Sequence, residues 1–203
     1  MPSGWCGVAG ASCSTAQRNT ILDDGSVELV AVAEMSASGF RVARVSPIRG
    51  RALVDADADL TAPPVVVISR EVWQRRLAER PDVIGATLRL GDTVHTVVGV
   101  MPEGFRFPFN FQYWVPLKRA QTDMLRNAGP EGAVFGRLAA DATLGRASAE
   151  VSTVGLLTMP QVNAEATRPR AVPYTFAFTG NVESGQLALM WSLANLALAL
   201  MLL

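Results

Sequence analysis

Apolar and polar positions change period several times along the chain, and each change marks a predicted element. Val65 to Ile68 form an uninterrupted β-branched run behind Pro63 and Pro64, the pattern of a short strand buried on both faces. Ser69 ends that run and can cap a helix in which Trp73 and Leu77 stand at i and i+4 with Val72 beside them. Arg75, Arg76, Glu79 and Arg80 fall on the other side, and Pro81 predicts the end of the helix near Arg80. After Gly85 the period becomes two. Leu88 and Leu90 alternate with Thr87 and Arg89, Gly91-Asp92 suits a type II′ turn, and Val94, Thr96, Val98 and Val100 alternate back, which predicts a hairpin.

Pro102-Glu103-Gly104 predicts a further turn, and Phe105, Phe107, Phe109 and Phe111 then recur at every second position. This spacing predicts a half-buried edge strand with its aromatic rings on a small core; an aromatic groove for a ligand is the alternative. Upstream, Val27 to Met35 reads as a strand with Val27, Leu29, Ala31 and Ala33 on one face, and Ser38 is placed to cap a short helix over residues 39–44. Downstream, Ala133 to Leu138 reads as a strand. Asp141 or Thr143 can cap a helix striped by Leu144, Ala147, Val151 and Val154, and Arg168 to Phe176 reads as an edge strand broken by Pro173.

The two ends differ from this middle. Residues 1–20 show neither periodicity nor the apolar core of a secretory signal, and are expected to be disordered or non-native. Residues 187–203, LALMWSLANLALALMLL, pass without a charge. As a helix rising about 1.5 Å per residue they fall somewhat short of a hydrocarbon core about 30 Å thick. They are read as the start of a transmembrane helix, and the chain as a fragment or a wrongly started reading frame.

Composition narrows the function classes. The 18 basic and 18 acidic residues of this 203-residue chain cancel, which argues against a nucleic-acid surface. Lys118 is the only lysine, and Arg41, Arg44, Arg49 and Arg51 are interleaved with apolar residues and followed by acids, as on a solvated face. Cys6 and Cys13 could pair in an oxidising compartment but define no disulfide framework. Asp55, Asp57 and Asp59 alternate like the start of a calcium loop, yet Leu60 and Val66 stand where that loop needs glycine and glutamate, leaving an exposed acidic loop. His95, the only histidine, lies in a strand on the face opposite Val94 and is expected on the solvent side; Asp92 is near, but the set lacks a nucleophile in a serine elbow. Glu103 and Glu131 have no evident paired carboxylate, and no Walker loop occurs. Catalytic, cofactor-binding and metal residues are therefore all assigned as none, and Trp73, Phe105, Phe107 and Trp114 are read as architectural.

The succession VVVIS-x3-WQRRL, PDVIG-x-TLRL-x5-TVVGVMPEGFRFP and WVPL, within residues 65–117, resembles the MacB-like periplasmic core domain of ABC transporter permeases in the FtsX-like family. The resemblance covers about residues 26–203. It implies an α/β (α+β) domain over residues 26–180, with a mixed-sheet porter-like subdomain built from about 26–85 and 132–178. A small β-rich subdomain at about 86–116 would be inserted between those parts, and the membrane helix would follow. It also implies a location at the inner membrane with the domain on the periplasmic side, and a separate ABC ATPase subunit, other permease segments and a periplasmic adaptor or substrate as partners. The full-length protein would be a dimer. The implied function is transmission of ATP-driven motion during export, without enzymatic activity; the alternative is a membrane-anchored binding module for a lipid, lipoprotein or peptide.

Overall fold

The computed structural model describes residues 8–21, 27–118, 132–158 and 170–175. At its centre is β4 (Val65–Ile68), whose four residues are all buried, as a β-branched run flanked on both faces requires. It lies parallel to β6 (Thr93–Val100) and antiparallel to β7 (Tyr113–Pro116). β7 continues in parallel to β2 (Val27–Met35), while β5 (Thr87–Leu90) pairs antiparallel with β6 in the predicted hairpin. β1 (Val8–Ile21) pairs with both β2 and β5, so the order β2-β7-β4-β6-β5-β1 returns to its starting strand. β8 (Gly132–Leu138) follows β1, and the two-residue β3 (Arg49–Gly50) joins β6, giving an eight-stranded mixed sheet among the described residues.

Alternation along the central strands supplies two cores. Val66, Ile68, Val32, Val97, Tyr113 and Val115 point to one face, where Val72 and Trp73 of α2 (Arg70–Arg76) cover them. Val65, Val67, Ala33, Met35 and Trp114 point to the other, covered by Phe40 of α1 (Ser38–Ala43) and by Phe105 and Phe111. The register of β6 against β4 shifts between Val66 and Val67, where Val98 is passed over, so Val97 and Val100 reach the same core. There β3 crosses closely: Gly50 pairs with Gly99, and a Cβ on Gly99 would overlap the Arg51 carbonyl oxygen. At the hairpin Gly91 has φ +63°, the left-handed value that the first central residue of a type II′ turn needs.

The chain divides into two compact units, Met1–Arg137 and Leu138–Leu203. In the second, α3 (Leu144–Thr158) starts at Thr143, whose hydroxyl accepts the Arg146 amide at 3.3 Å.

Several expectations are corrected. Residues 8–21 of the start expected to be disordered form β1; its small and polar sequence carries no period of its own, and its extended state comes from the backbone ladder with β2, from Cys13 opposite Met35 to Ile21 opposite Val27. On β2 the expected face is not the buried one along its first half. Val27 and Leu29 are 63% and 61% exposed while Val30 and Val32 are buried, because the second core begins only at Ala33, where β7 has joined the sheet. The helix over 38–43 starts without a side-chain cap; Ser38 instead shares a hydrogen bond with Ser36. Residues 105–111 form turns, not an edge strand: Pro102 and Pro108 lack amides, and the amides of Phe105 and Phe111 are spent locally on the carbonyls of Pro102 and Arg106. Residues 170–175 hold no strand but a turn at Tyr174-Thr175, and the remainder of that expected strand lies outside the described residues. Strands β5 to β7 belong to the same sheet as β2 and β4. Residues 187–203 lie outside the described residues, among which no helix is long and apolar enough to cross a membrane.

Candidate functional site

Two indole anchors and a set of charged ties hold the described elements together. Ser69 accepts the Val72 amide at 3.2 Å and opens α2 as its sequence predicts. The helix then stops at Leu77, short of the expected Arg80. The amides of Leu77 and Glu79 both donate to the Trp73 carbonyl, and Ala78 and Glu79 turn left-handed at φ 48° and 52°. That reversal brings the Arg80 carbonyl to the Trp73 indole, whose Nε1 donates to it at 2.9 Å. The Arg49 guanidinium lies 5.6 Å from the ring centroid, so one side chain joins the end of α2, core one and β3.

Trp114 plays the matching part on the other face. It is fully buried, donates to the Phe107 carbonyl at 2.7 Å, and lies 5.1 Å from the Phe105 ring and 6.5 Å from the Phe40 ring. Phe107 and Phe109 meet Phe135 of β8 edge-to-face at 5.4 and 5.6 Å. Phe105 and Phe111 thus lie in the second core, and the half-buried Phe107 and Phe109 pack against it. All four architectural residues expected from the sequence are placed in a core or packed against one, Trp73 in the first and Phe105, Phe107 and Trp114 in the second.

Charged groups tie the edges. Arg106 reaches Glu71 at 3.2 Å, and Arg76 bonds Glu28 at the exposed end of β2. The neighbouring Tyr113 hydroxyl is pushed up to about 12 by burial, with the Arg76 charge opposing. In the DADAD segment, a short 3-10 turn (Asp55–Ala58) buries Asp57 instead of exposing it. Arg51 donates to both Asp57 oxygens, at 2.6 and 2.9 Å, and the Val54 amide donates at 2.8 Å. Burial alone would raise the Asp57 carboxyl, but these bonds and the charges of Arg51 and Lys118 hold it below the ordinary carboxylate range. The guanidinium takes the place that a calcium reading gives to a metal. Among the described residues no group of three or more His, Cys, Asp or Glu side chains is placed to hold a metal ion.

His95 is buried at 5% exposure, not on the solvent side. It lies across from Leu88 in the β5–β6 ladder, and its Nδ1 is 3.2 Å from the Thr93 carbonyl oxygen. Strand parity alone could not tell which face of the hairpin is covered; the pairing of β6 with β4 decides it. Asp92 stays in the exposed turn and Glu103 in another. Glu131, Cys6 and the side chain of Cys13 lie outside what is described.

Comparison with solved structures places this arrangement in a class. The chain is similar to the periplasmic region of MacB from Actinobacillus actinomycetemcomitans, with a TM-score of 0.59 at 12% identity over 77% of this chain and 72% of that one. It is also similar to the extracellular domain of the noncanonic ABC-type transporter YknZ from Gram-positive bacteria, with a TM-score of 0.51 at 12% identity over 80% and 78% of the two chains. The fold is that of extracytoplasmic domains of ABC-type transporters. The profile of the MacB-like periplasmic core domain matches residues 7–154, and the chain belongs to that family. It is thus a periplasmic domain of an ABC-type permease of the MacB/FtsX family, whose members work with an ATPase subunit. No curated protein matches the chain. The family match begins at residue 7, so it takes in β1, which the sequence reading left out of the domain.

Proposed function

We propose that this domain transmits ATP-driven motion from the membrane helices of a permease to a periplasmic partner or substrate during export, as a non-enzymatic rigid element. The separate ATPase would supply the energy, residues 187–203 would begin the membrane helix that delivers it, and the complete permease would act as a dimer facing a periplasmic adaptor. The observation that carries this reading is the double-sided core. The sheet is packed on both faces, and Phe40, Phe105 and Trp114 fill the second with centroid separations of 5.1 to 6.5 Å. A filled interior deforms little under load, which suits transmission; a membrane-anchored carrier of a lipid, lipoprotein or peptide needs a cavity there instead.

The test uses the complete permease with its ATPase, with spin labels at the exposed positions Ser46 and Arg89 and native cysteines replaced. On ATP binding, the Ser46–Arg89 distance within one domain stays constant while the distance between Arg89 of the two copies changes. An unchanged distance between copies in a transport-active sample refutes the reading. Saturable, ATP-independent binding of a fluorescent lipid would put the carrier in its place.

A further inference from the structure

The lone lysine of the chain has an environment that the permease reading does not use. Lys118 follows β7, and its Nζ donates to three backbone carbonyls of the DADAD segment: Asp57 at 3.0 Å, Asp59 at 2.9 Å and Ala62 at 3.2 Å. An ammonium has three donors, and all three are used here on a fixed ring of oxygens. The ring is held from behind. The Asp57 amide bonds the Val54 carbonyl, Asp59 bonds Ala56, Ala62 bonds Asp59, and Arg51 grips the Asp57 carboxylate. The Asp55 carboxylate lies 3.7 Å from Arg41, and the Asp57 carboxylate is held by Arg51 with the Lys118 charge close by. Removing the lysine takes a positive charge from near the Asp57 carboxylate and leaves three converging carbonyl dipoles without their donor, and that is the chemistry of a small-cation site.

We propose that the carbonyls of Asp57, Asp59 and Ala62 form a monovalent-cation site whose resident cation is the tethered ammonium of Lys118. The site explains why an acidic alternation resembling a metal loop lacks the glycine and glutamate of one: the chain brings its own cation. It also locks the loop that enters β4 to the exit of β7, two antiparallel neighbours whose adjacent ends must stay in register. A vacated ring would accept a primary alkylammonium ion or a potassium ion, whereas a quaternary ammonium, which has no N–H to donate, would not fit.

The experiment is chemical rescue of the full chain. Lys118→Ala is expected to lower the thermal midpoint by about 5 °C in tetramethylammonium chloride. Ethylammonium or potassium chloride at the same ionic strength should restore at least half of that loss, while the wild-type midpoint should be the same in all three salts. Lys118→Met, which keeps the stem but leaves no room for a cation, should lose as much and gain nothing. Equal midpoints of Lys118→Ala in the three salts overturn the proposal. Should Lys118→Ala not fold, amide exchange over residues 54–62 decides it: the Lys118→Met protein should exchange there at least about tenfold faster than wild type, and equal rates refute the site.

Discussion

Trp73→Ala should be the most informative single substitution in the first core. The indole is 7% exposed, so nearly all of the roughly 150–250 Å² that a tryptophan can bury leaves water on folding. At about 25 cal/mol per Å² this corresponds to about 4–6 kcal/mol as an upper bound. A compact unfolded chain and the methyl retained by alanine lower it, and the measured range for such truncations, about 3–5 kcal/mol, is the expectation. Two smaller parts can be separated. Trp73→Phe keeps most of the packing and removes the bond to the Arg80 carbonyl, which water can reach, so it should cost about 1–2 kcal/mol. Arg49→Ala removes the guanidinium over the ring and should cost at most about 1 kcal/mol, a loss that shrinks when residue 73 no longer carries an indole. Urea unfolding followed by far-UV circular dichroism avoids the signal of the other tryptophans. For an m-value of about 2 kcal/mol/M the Trp73→Ala midpoint should fall by about 2 M. A loss within about 0.5 kcal/mol would refute the placement of the ring and, with it, the account of how α2 ends.

Two further outcomes follow from other parts of the sheet. Gly99→Ala places a methyl group against the Arg51 carbonyl where β3 crosses β6, so it should cost about 1–3 kcal/mol and expose the Arg51 amide to hydrogen exchange; exchange as slow as wild type would show that β3 does not cross there. Asp57 has a folded pKa below its ordinary 3.8, so its contribution is fully present above that value and is lost as pH falls through it toward the lower folded value. Asp57→Asn should therefore be less stable than wild type at pH 7, by about 1–2 kcal/mol given the partly exposed Arg51, and the two proteins should converge as the pH is lowered below 3.8. Parallel acid-unfolding curves would refute the Arg51–Asp57 tie.

Local chemistry determined much of this domain in advance. The β-branched run from Val65 to Ile68 behind two prolines suited a strand covered on both faces. Ser69 with the apolar spacing of Val72, Trp73 and Leu77 specified the start of α2, and Gly91 at the turn with alternating flanks specified the hairpin. These signals are short-range: a period, a cap or a required positive φ acts within a few residues. What the sequence left open depended on partners far away in the chain. β1 has no apolar period and is extended because β2 lies beside it, and which face of β2 or of the β5–β6 hairpin is buried followed from where β7 and β4 attach. The same holds for His95, turned inward by the pairing of its strand, and for the four phenylalanines, whose alternation imitated a strand although Pro102 before them and Pro108 among them favoured turns. Lys118 was conspicuous as a solitary lysine, yet its role required three carbonyls from residues 57–62 to converge some sixty positions away. Only tertiary structure could decide these, because period and propensity say which side chains share a face but not what comes to lie against it.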